Sequence, residues 1–292
     1  MDCIQRNAII SWTLLRPRPE IILLGEETGT SEIAKKLGLR YEPKVDRNEQ
    51  GTPLLSSLFQ NAEAMASQKV LCYVNADIIL MSGFMEAVEH IASRKSRFLM
   101  VGQRWDVHLK ELWDFSRPDW PDRLQAHVRE NGSLHPKTGI DYFVFPRGLC
   151  GSIPPFAIGR TSWDNWLIYQ AWRHSAAVVD ATRTVFAVHQ NHDYGQFGGK
   201  EAVWNSKEAR RNRELAQGCV FTLEDVTHKL LPEGMRPVRC SLKQIARHLW
   251  RLPKLFPLLR PALWIANVLL RLSRPIRSAF GLTLRSGGDD TS

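Results

Sequence analysis

Residues 71–80 read LCYVNADIIL, an apolar run that breaks at Asn75-Ala76-Asp77 and then turns apolar again. The run predicts a buried strand over Lys69–Val74 that ends in a carboxamide and, two residues on, a carboxylate. Ligands of open α/β sheets sit beyond the carboxyl ends of the strands. A buried acid there is costly unless a metal, a cation or hydrogen-bond donors meet it. A plainer reading stays open at this point: a strand-end Asp that caps the next turn or helix.

Working outward, Glu20–Gly25 (EIILLG) reads as a short strand. Thr30 and Ser31 are expected to cap a helix, SEIAKKLG, that stops at Gly38. Leu54–Ala66 is a further helix leading into the 69–74 strand. This alternation predicts a parallel sheet with right-handed crossovers. Ile4–Leu15 and Phe84–Ser93 read as helices, and Arg97–Gly102 as a strand. Arg104–Gly132 is expected to be a long surface excursion with a short helix near Pro121–Glu130. Ile140–Phe145 is aromatic and β-prone. Ser162–Arg173 is a helix, Ala177–Asp180 a strand, and Thr184–Val188 a strand that delivers His189-Gln190-Asn191-His192-Asp193-Tyr194. The expected fold is α/β: a mostly parallel mixed sheet flanked by helices. No GxGxxG follows a strand, and Gly198-Gly199-Lys200 lacks the context of a phosphate loop, so dinucleotide binding is not indicated.

The composition, 43% hydrophobic and 24% charged over 292 residues, is that of a globular chain with room for one large domain and an appendage. The five cysteines are scattered and show no metal-ligand spacing, which points to reduced thiols in a cytosolic setting. The opening MDCIQRNAII has no basic stretch ahead of an apolar core, so no secretory signal is expected in it. The net charge of +9 is uneven: nine basic residues against two acidic ones lie beyond Cys240, leaving the body nearly neutral. Nucleic-acid binding by the body is therefore not expected.

Polar clusters follow several of these strands: Asn75/Asp77, Arg104-Trp105-Asp106, Asp141, and His189 to Tyr194. A further cluster, Trp163-Asp164-Asn165, opens a helix. His189 and His192 with a nearby carboxylate suit Mn²⁺, Mg²⁺ or Zn²⁺. Two histidines that shape a loop by bonding to backbone are the alternative. Asp164 at a helix start also serves as cap and dipole partner. Arg160, four residues earlier, either neutralises a diphosphate or pairs with Asp164.

The order IQRNAIISW, EIILLGEE, GTPLLSSLF, YVNADIIL, VGQRWD, GIDYFVFPRGL, FAIGRTSWDNWLIYQA, VHQNHDY resembles the bacterial and plant glycosyltransferases related to family 2. These have the GT-A nucleotide-diphospho-sugar transferase fold. The resemblance implies sugar transfer from a nucleoside-diphosphate sugar to a hydroxyl of a glycan or lipid-linked acceptor, metal-assisted by Mn²⁺ or Mg²⁺ and inverting. It places Asn75 and Asp77 at the "DxD" donor position, with Asn replacing the first acid. Arg104, Asp106 and Arg160 would also bind the donor. Asp164 becomes the general base, Asp141 and Trp163 line the acceptor side, and Asp77, His189 and His192 hold the metal. In such folds a strand precedes the helix that here begins near Ile4. Only Met1-Asp2-Cys3 stand before it, so the resemblance implies a missing first strand.

On this reading residues 1–225 form the catalytic domain, 226–240 a linker, 241–280 basic amphipathic helices and 281–292 a disordered tail. Lys243, Arg247 and Arg251 fall at helical spacing, and the longest uncharged stretch of that tail, PALWIANVLL, is half of what a spanning helix needs. The tail is expected to lie on an anionic membrane surface, on the cytoplasmic face. Two further functional classes stay open: a metal hydrolase of the sugar-deacetylase type built on the HxxHD cluster, and a catalytically inactive membrane-associated interaction protein.

Overall fold

The computed structural model describes residues 3–192, 204–219 and 221–238. The chain divides into two compact units, Met1–Arg239 and Cys240–Ser292. The second unit, with the expected membrane helices, lies outside the described residues, as do Asp193 and Tyr194.

The first unit is an α/β fold with mixed sheets. Its elements run α1 (Cys3–Thr13), β1 (Ile22–Leu24), α2 (Thr30–Leu37), β2 (Arg40–Glu42), α3 (Leu55–Met65), β3 (Val70–Val74) and β4 (Ile78–Ile79). Then come α4 (Gly83–Ala92), β5 (Phe98–Val101), β6 (Arg104–Val107), α5 (Trp120–Asn131), β7 (Ser133–Leu134) and β8 (Tyr142–Pro146). The remainder is α6 (Trp163–Arg173), β9 (Ala177–Asp180), β10 (Ala187–Gln190), α7 (Lys207–Ala216), β11 (His228–Leu231) and β12 (Gly234–Pro237).

The larger sheet has six strands in the order β12-β11-β9-β5-β8-β3. Its middle strands, FLMV in β5 and YFVF in β8, are buried on both faces, as continuous apolar runs require. β5 and β9 are parallel, as are β9 and β11, but β8 runs antiparallel to both β3 and β5. The sheet is thus mixed, with more antiparallel pairing than the strand–helix alternation predicted. The reason is β8: the chain returns to it through α5 and β7, not through a crossover helix on the sheet face.

Several local expectations are corrected. The stretch 226–240 is not a linker over its described part, because β11 and β12 form an antiparallel hairpin that adds to β9. Arg104–Val107 is a strand, not a surface excursion, and Trp120, Leu124 and Val128 of α5 form one buried stripe. The helix at 30–37 has Gly29 as its N-cap, with no side-chain capping bond from Thr30 or Ser31. Its stop is as expected: Gly38 takes a left-handed φ of 63° and its N–H closes onto Ala34 and Lys35.

A second sheet of four strands has the order β4-β10-β6-β7. The chain passes from the larger sheet to this one three times: β3 to β4, β5 to β6, and β9 to β10. The polar segments 75–77 and 102–104 are the first two of these passages. Gly102 is required at the second, because a Cβ there would lie 2.1 Å from the Tyr142 hydroxyl.

β1 and β2 pair with each other in a parallel two-stranded sheet, separate from the six-stranded one. α1 packs over β4 and serves its backbone with side chains. Trp12 Nε1 donates to the Ile78 carbonyl at 2.9 Å, and Ser11 Oγ accepts from the Leu80 N–H at 3.2 Å. These bonds satisfy backbone groups of the β4 segment, which lies at the edge of its sheet.

Candidate active site

The seam between the two sheets gathers the polar side chains. At the end of β3, Asn75 N–H donates to the Asp141 carbonyl at 3.0 Å, and its side-chain Nδ2 donates to Asp141 Oδ1 at 2.7 Å. Asp141 Oδ2 is paired with Arg104 Nη1, and Arg104 Nε reaches Asp106 Oδ1 at 2.9 Å. The register of β10 on β6 sets His189 opposite Asp106, and on β4 it sets His189 opposite Ile78. Strand pairing alone therefore brings the late histidine beside two earlier strand ends.

Around Asp77 three ligand-type atoms converge. His189 Nε2 and His192 Nε2 each lie 3.3 Å from Asp77 Oδ2. One ligand atom from each of the three residues falls within 4.8 Å of the others. Asp77 Oδ1 is buried without a hydrogen-bond partner among the described residues. A buried carboxylate oxygen left unsatisfied beside two imidazoles fits a divalent cation, and a mixed nitrogen and oxygen set suits Mn²⁺ or Zn²⁺. Burial pushes the Asp77 carboxyl up, but hydrogen bonds and charge from His189 and His192 outweigh it and hold it well below the usual carboxylate range. Burial lowers His189, yet Asp106 and Asp77 more than reverse this and raise it.

Asp106 behaves like Asp77. Burial raises it, but His135, His189 and Arg104 together pull it far down. His135 Nδ1 sits 2.5 Å from Asp106 Oδ2. Nothing in the sequence marks His135. It follows β7, far from any motif, and only the antiparallel pairing of β6 with β7 brings it to Asp106.

Asp164 is the contrasting acid. It opens α6, half-buried, and burial pushes its carboxyl up to about 6. The N–H groups of Asn165, Asp164 and Ile140, and the Arg104 charge, oppose that rise only in part. The residue before it but one, Ser162, holds a left-handed φ of 85°.

Of the other expected site residues, Trp163 requires correction as an acceptor platform. The residue is 4% exposed, and its indole packs edge-on against Tyr73 at 5.4 Å and tilted against Phe143 at 5.5 Å. A ring covered by core aromatics has no face left for a sugar. Arg160 is held by Glu208 of α7, at 2.6 Å, and Glu208 also accepts from Asn48. Arg104 is engaged on both sides by Asp106 and Asp141, so its charge is largely neutralised within the site.

Gln190 and Asn7 also carry no signal in the sequence. Gln190 is fully buried; its Nε2 donates to the carbonyls of Ile4 at 2.8 Å and Asp77 at 3.1 Å, while its Oε1 accepts from Asn7 Nδ2 at 2.9 Å. The pair ties α1 to the backbone of the Asp77 turn.

No protein-family model matches the chain, and no curated protein matches it. Among solved structures it is similar to the crystal structure of GalNAc-T7 with UDP, GalNAc and Mn²⁺, at 16% identity and a TM-score of 0.48. That match covers 73% of this chain and 46% of the other, so the chain spans about half the length of that protein.

Proposed function

We propose that the chain is a metal-assisted glycosyltransferase of GT-A type, moving a sugar from a nucleoside-diphosphate sugar to an acceptor hydroxyl. The observation that carries this reading is the convergence of Asp77, His189 and His192 at strand ends; a further acid, Asp164, is within reach of the Arg104 charge and has its carboxyl raised to about 6. The ordered sequence resemblance supports it independently. Asp77, His189 and His192 would hold a divalent cation, which when bound supplies positive charge to a departing diphosphate.

The chain's own residues then divide the remaining work. Asp164 takes the proton from the acceptor hydroxyl as it attacks, a role suited to a carboxyl lifted toward neutrality. Arg104 holds Asp141 and Asp106 in place. One base and no covalent nucleophile favours inversion. The acceptor is proposed to be a glycan or lipid-linked hydroxyl. The basic and apolar residues 241–280 support a site at the cytoplasmic face of a membrane.

Binding of Mn²⁺ together with each of UDP, GDP and dTDP, measured by calorimetry on the full chain, tests the reading. A metal-dependent diphosphate signal that drops at least about 100-fold in Asp77→Ala is expected for a ligand residue; equal binding in the variant sinks the assignment.

One observation favours a second reading. Two histidines and one carboxylate also form the donor set of a metal hydrolase, such as a sugar deacetylase. Release of acetate from an acetylated glycan, with no dependence on a nucleoside diphosphate, would establish it instead.

A further inference from the structure

The resemblance assigns Asp106 to the sugar-nucleotide donor. Its surroundings suit a different role, and we infer that Asp106 is a positioning residue that fixes the tautomer and ring orientation of His189 for a cation at Nε2. This rests on the metal-site reading above.

The imidazole of His189 is 5% exposed and its two nitrogens face two different acids. Nε2 lies 3.3 Å from Asp77 Oδ2, on the side of the ligand cluster. Nδ1 lies 3.1 Å from Asp106 Oδ1, on the opposite side, and forms no aligned hydrogen bond with any described residue. A neutral imidazole carries one proton, on one nitrogen. Placing it on Nδ1 satisfies the buried contact to Asp106 and leaves the Nε2 lone pair for a cation shared with Asp77 and His192. The reverse tautomer sets a lone pair against the Asp106 carboxylate in a buried site and removes the ligand atom. A carboxylate behind a ligating histidine has this effect generally, and its loss weakens metal binding roughly 10–100-fold.

Asp106 is itself fixed. Arg104 Nε and His135 Nδ1 hold its two oxygens, at 2.9 and 2.5 Å, and its strand is registered on β10 with His189 directly opposite. A carboxylate bound on both oxygens by protein donors is poorly placed to take a ligand of its own. It is well placed to orient a ring.

The experiment has two arms on the full chain. In the first, Mn²⁺ titrations by calorimetry compare the unaltered protein, Asp106→Asn and His189→Ala. The expected result is a roughly 10–100-fold weaker Kd for Asp106→Asn, with a larger loss for His189→Ala. If the unaltered protein binds no Mn²⁺, the metal-site reading fails. If it binds and Asp106→Asn binds equally well, that reading stands and the positioning role is overturned. The second arm needs no variant, since Asp106→Asn also loosens Arg104 and His135. Two-bond ¹H–¹⁵N spectra of the unaltered chain loaded with Zn²⁺ report which His189 nitrogen is protonated. A proton on Nδ1 with Nε2 metal-shifted supports the inference; a proton on Nε2 overturns it.

Discussion

Asp77 and Asp164 are chemically the same side chain, one bonded to His189 and His192 and the other within reach of the Arg104 charge, yet the fold drives them in opposite directions. Asp77 sits between two imidazoles and is held ionised far below the usual range. Asp164 sits at a helix start with burial as its largest influence, and its carboxyl rises to about 6. Burial pushes both carboxyls up; at Asp77 hydrogen bonds from His189 and His192 outweigh it, whereas at Asp164 backbone N–H groups and the Arg104 charge offset it only in part. Burial that its partners do not fully offset makes a proton acceptor that works near neutrality, and burial with partners that outweigh it keeps an anion. That difference is the clearest functional information in the molecule, because neither acid alone distinguishes a catalyst from a structural cap.

The sharpest way to break the comparison is to remove the raised acid. Asp164→Asn keeps the shape of the side chain and loses its basicity. Transfer from whichever nucleotide sugar the chain uses is expected to fall roughly 10²–10⁴-fold in kcat, with donor binding within a few-fold of normal. The pH profile of the unaltered chain is expected to carry an acid limb near 6, absent from the residual activity of the variant. A drop in donor affinity as large as the drop in kcat would move Asp164 to the Asp77 side of the site.

The same substitution has a second, smaller consequence with an unusual sign. The Asp164 carboxyl is raised from 3.8 to about 6 in the folded chain. Its contribution to stability is therefore fully present below about pH 4 and is lost as pH rises through about 6. Above that range the ionised group is a cost of about 1–3 kcal/mol, reduced from the full shift because the residue is half-exposed. Asp164→Asn is expected to be more stable than the original chain at pH 8 by that order, and indistinguishable at pH 4. Asp77 and Asp106 work in the other sense. Their lowered carboxyls contribute stability above about pH 4 that is lost on acidification, so acid unfolding is expected to begin at this seam. Urea denaturation across pH 3–8 measures both.

A third substitution asks whether Asn75 belongs to the ionised half. The resemblance sets it where GT-A enzymes carry an acid, but its amide donates to Asp141 at 2.7 Å. Asn75→Asp replaces that donor with a carboxylate facing a carboxylate. A loss of about 1–3 kcal/mol at pH 7 is expected. Tighter Mn²⁺ binding with no loss of stability would show that the position is a vacant ligand place and not a strut.

How far all this is legible in the sequence depends on the range of the interaction. The strands and helices come from local pattern. RFLMV and AVVD are apolar runs that end up inside the sheet, but EIILLG and LCYV, read as buried strands, are only partly covered: β3 is an edge strand with Cys72 exposed. The Asp77–His189–His192 group is anticipated only through the family resemblance; the residue types by themselves mark Asp77 and the HxxHD run as separate clusters. The Asp106–His135 contact is not anticipated, because it depends on the pairing of β6 with the two-residue strand β7, which has no signal of its own. The same holds for the β11–β12 hairpin: its polar residues read as a linker because a strand at the sheet edge need not be apolar. Trp163 misleads for the opposite reason. The resemblance sets it on the acceptor side, but the helix turns its ring onto Tyr73 and Phe143.

The smallest effect concerns how Asp164 is presented. Ser162, two residues before it, adopts φ 85° and ψ −25°, a left-handed conformation that costs a non-glycine residue about 1–2 kcal/mol. In Ser162→Gly that cost disappears, while the greater freedom of glycine in the unfolded chain costs roughly 0.4–1 kcal/mol. The two nearly cancel, so the melting temperature is expected to move only slightly, and upward. Activity is the more informative reading. If the packing of α6 is what places Asp164, the looser glycine leaves it there and the acid limb near 6 stays where it was. Should that limb fall toward 4 while stability is unchanged, the turn was holding the carboxyl in its buried position, and the contrast between Asp77 and Asp164 would rest on one strained residue instead of on the packing of α6.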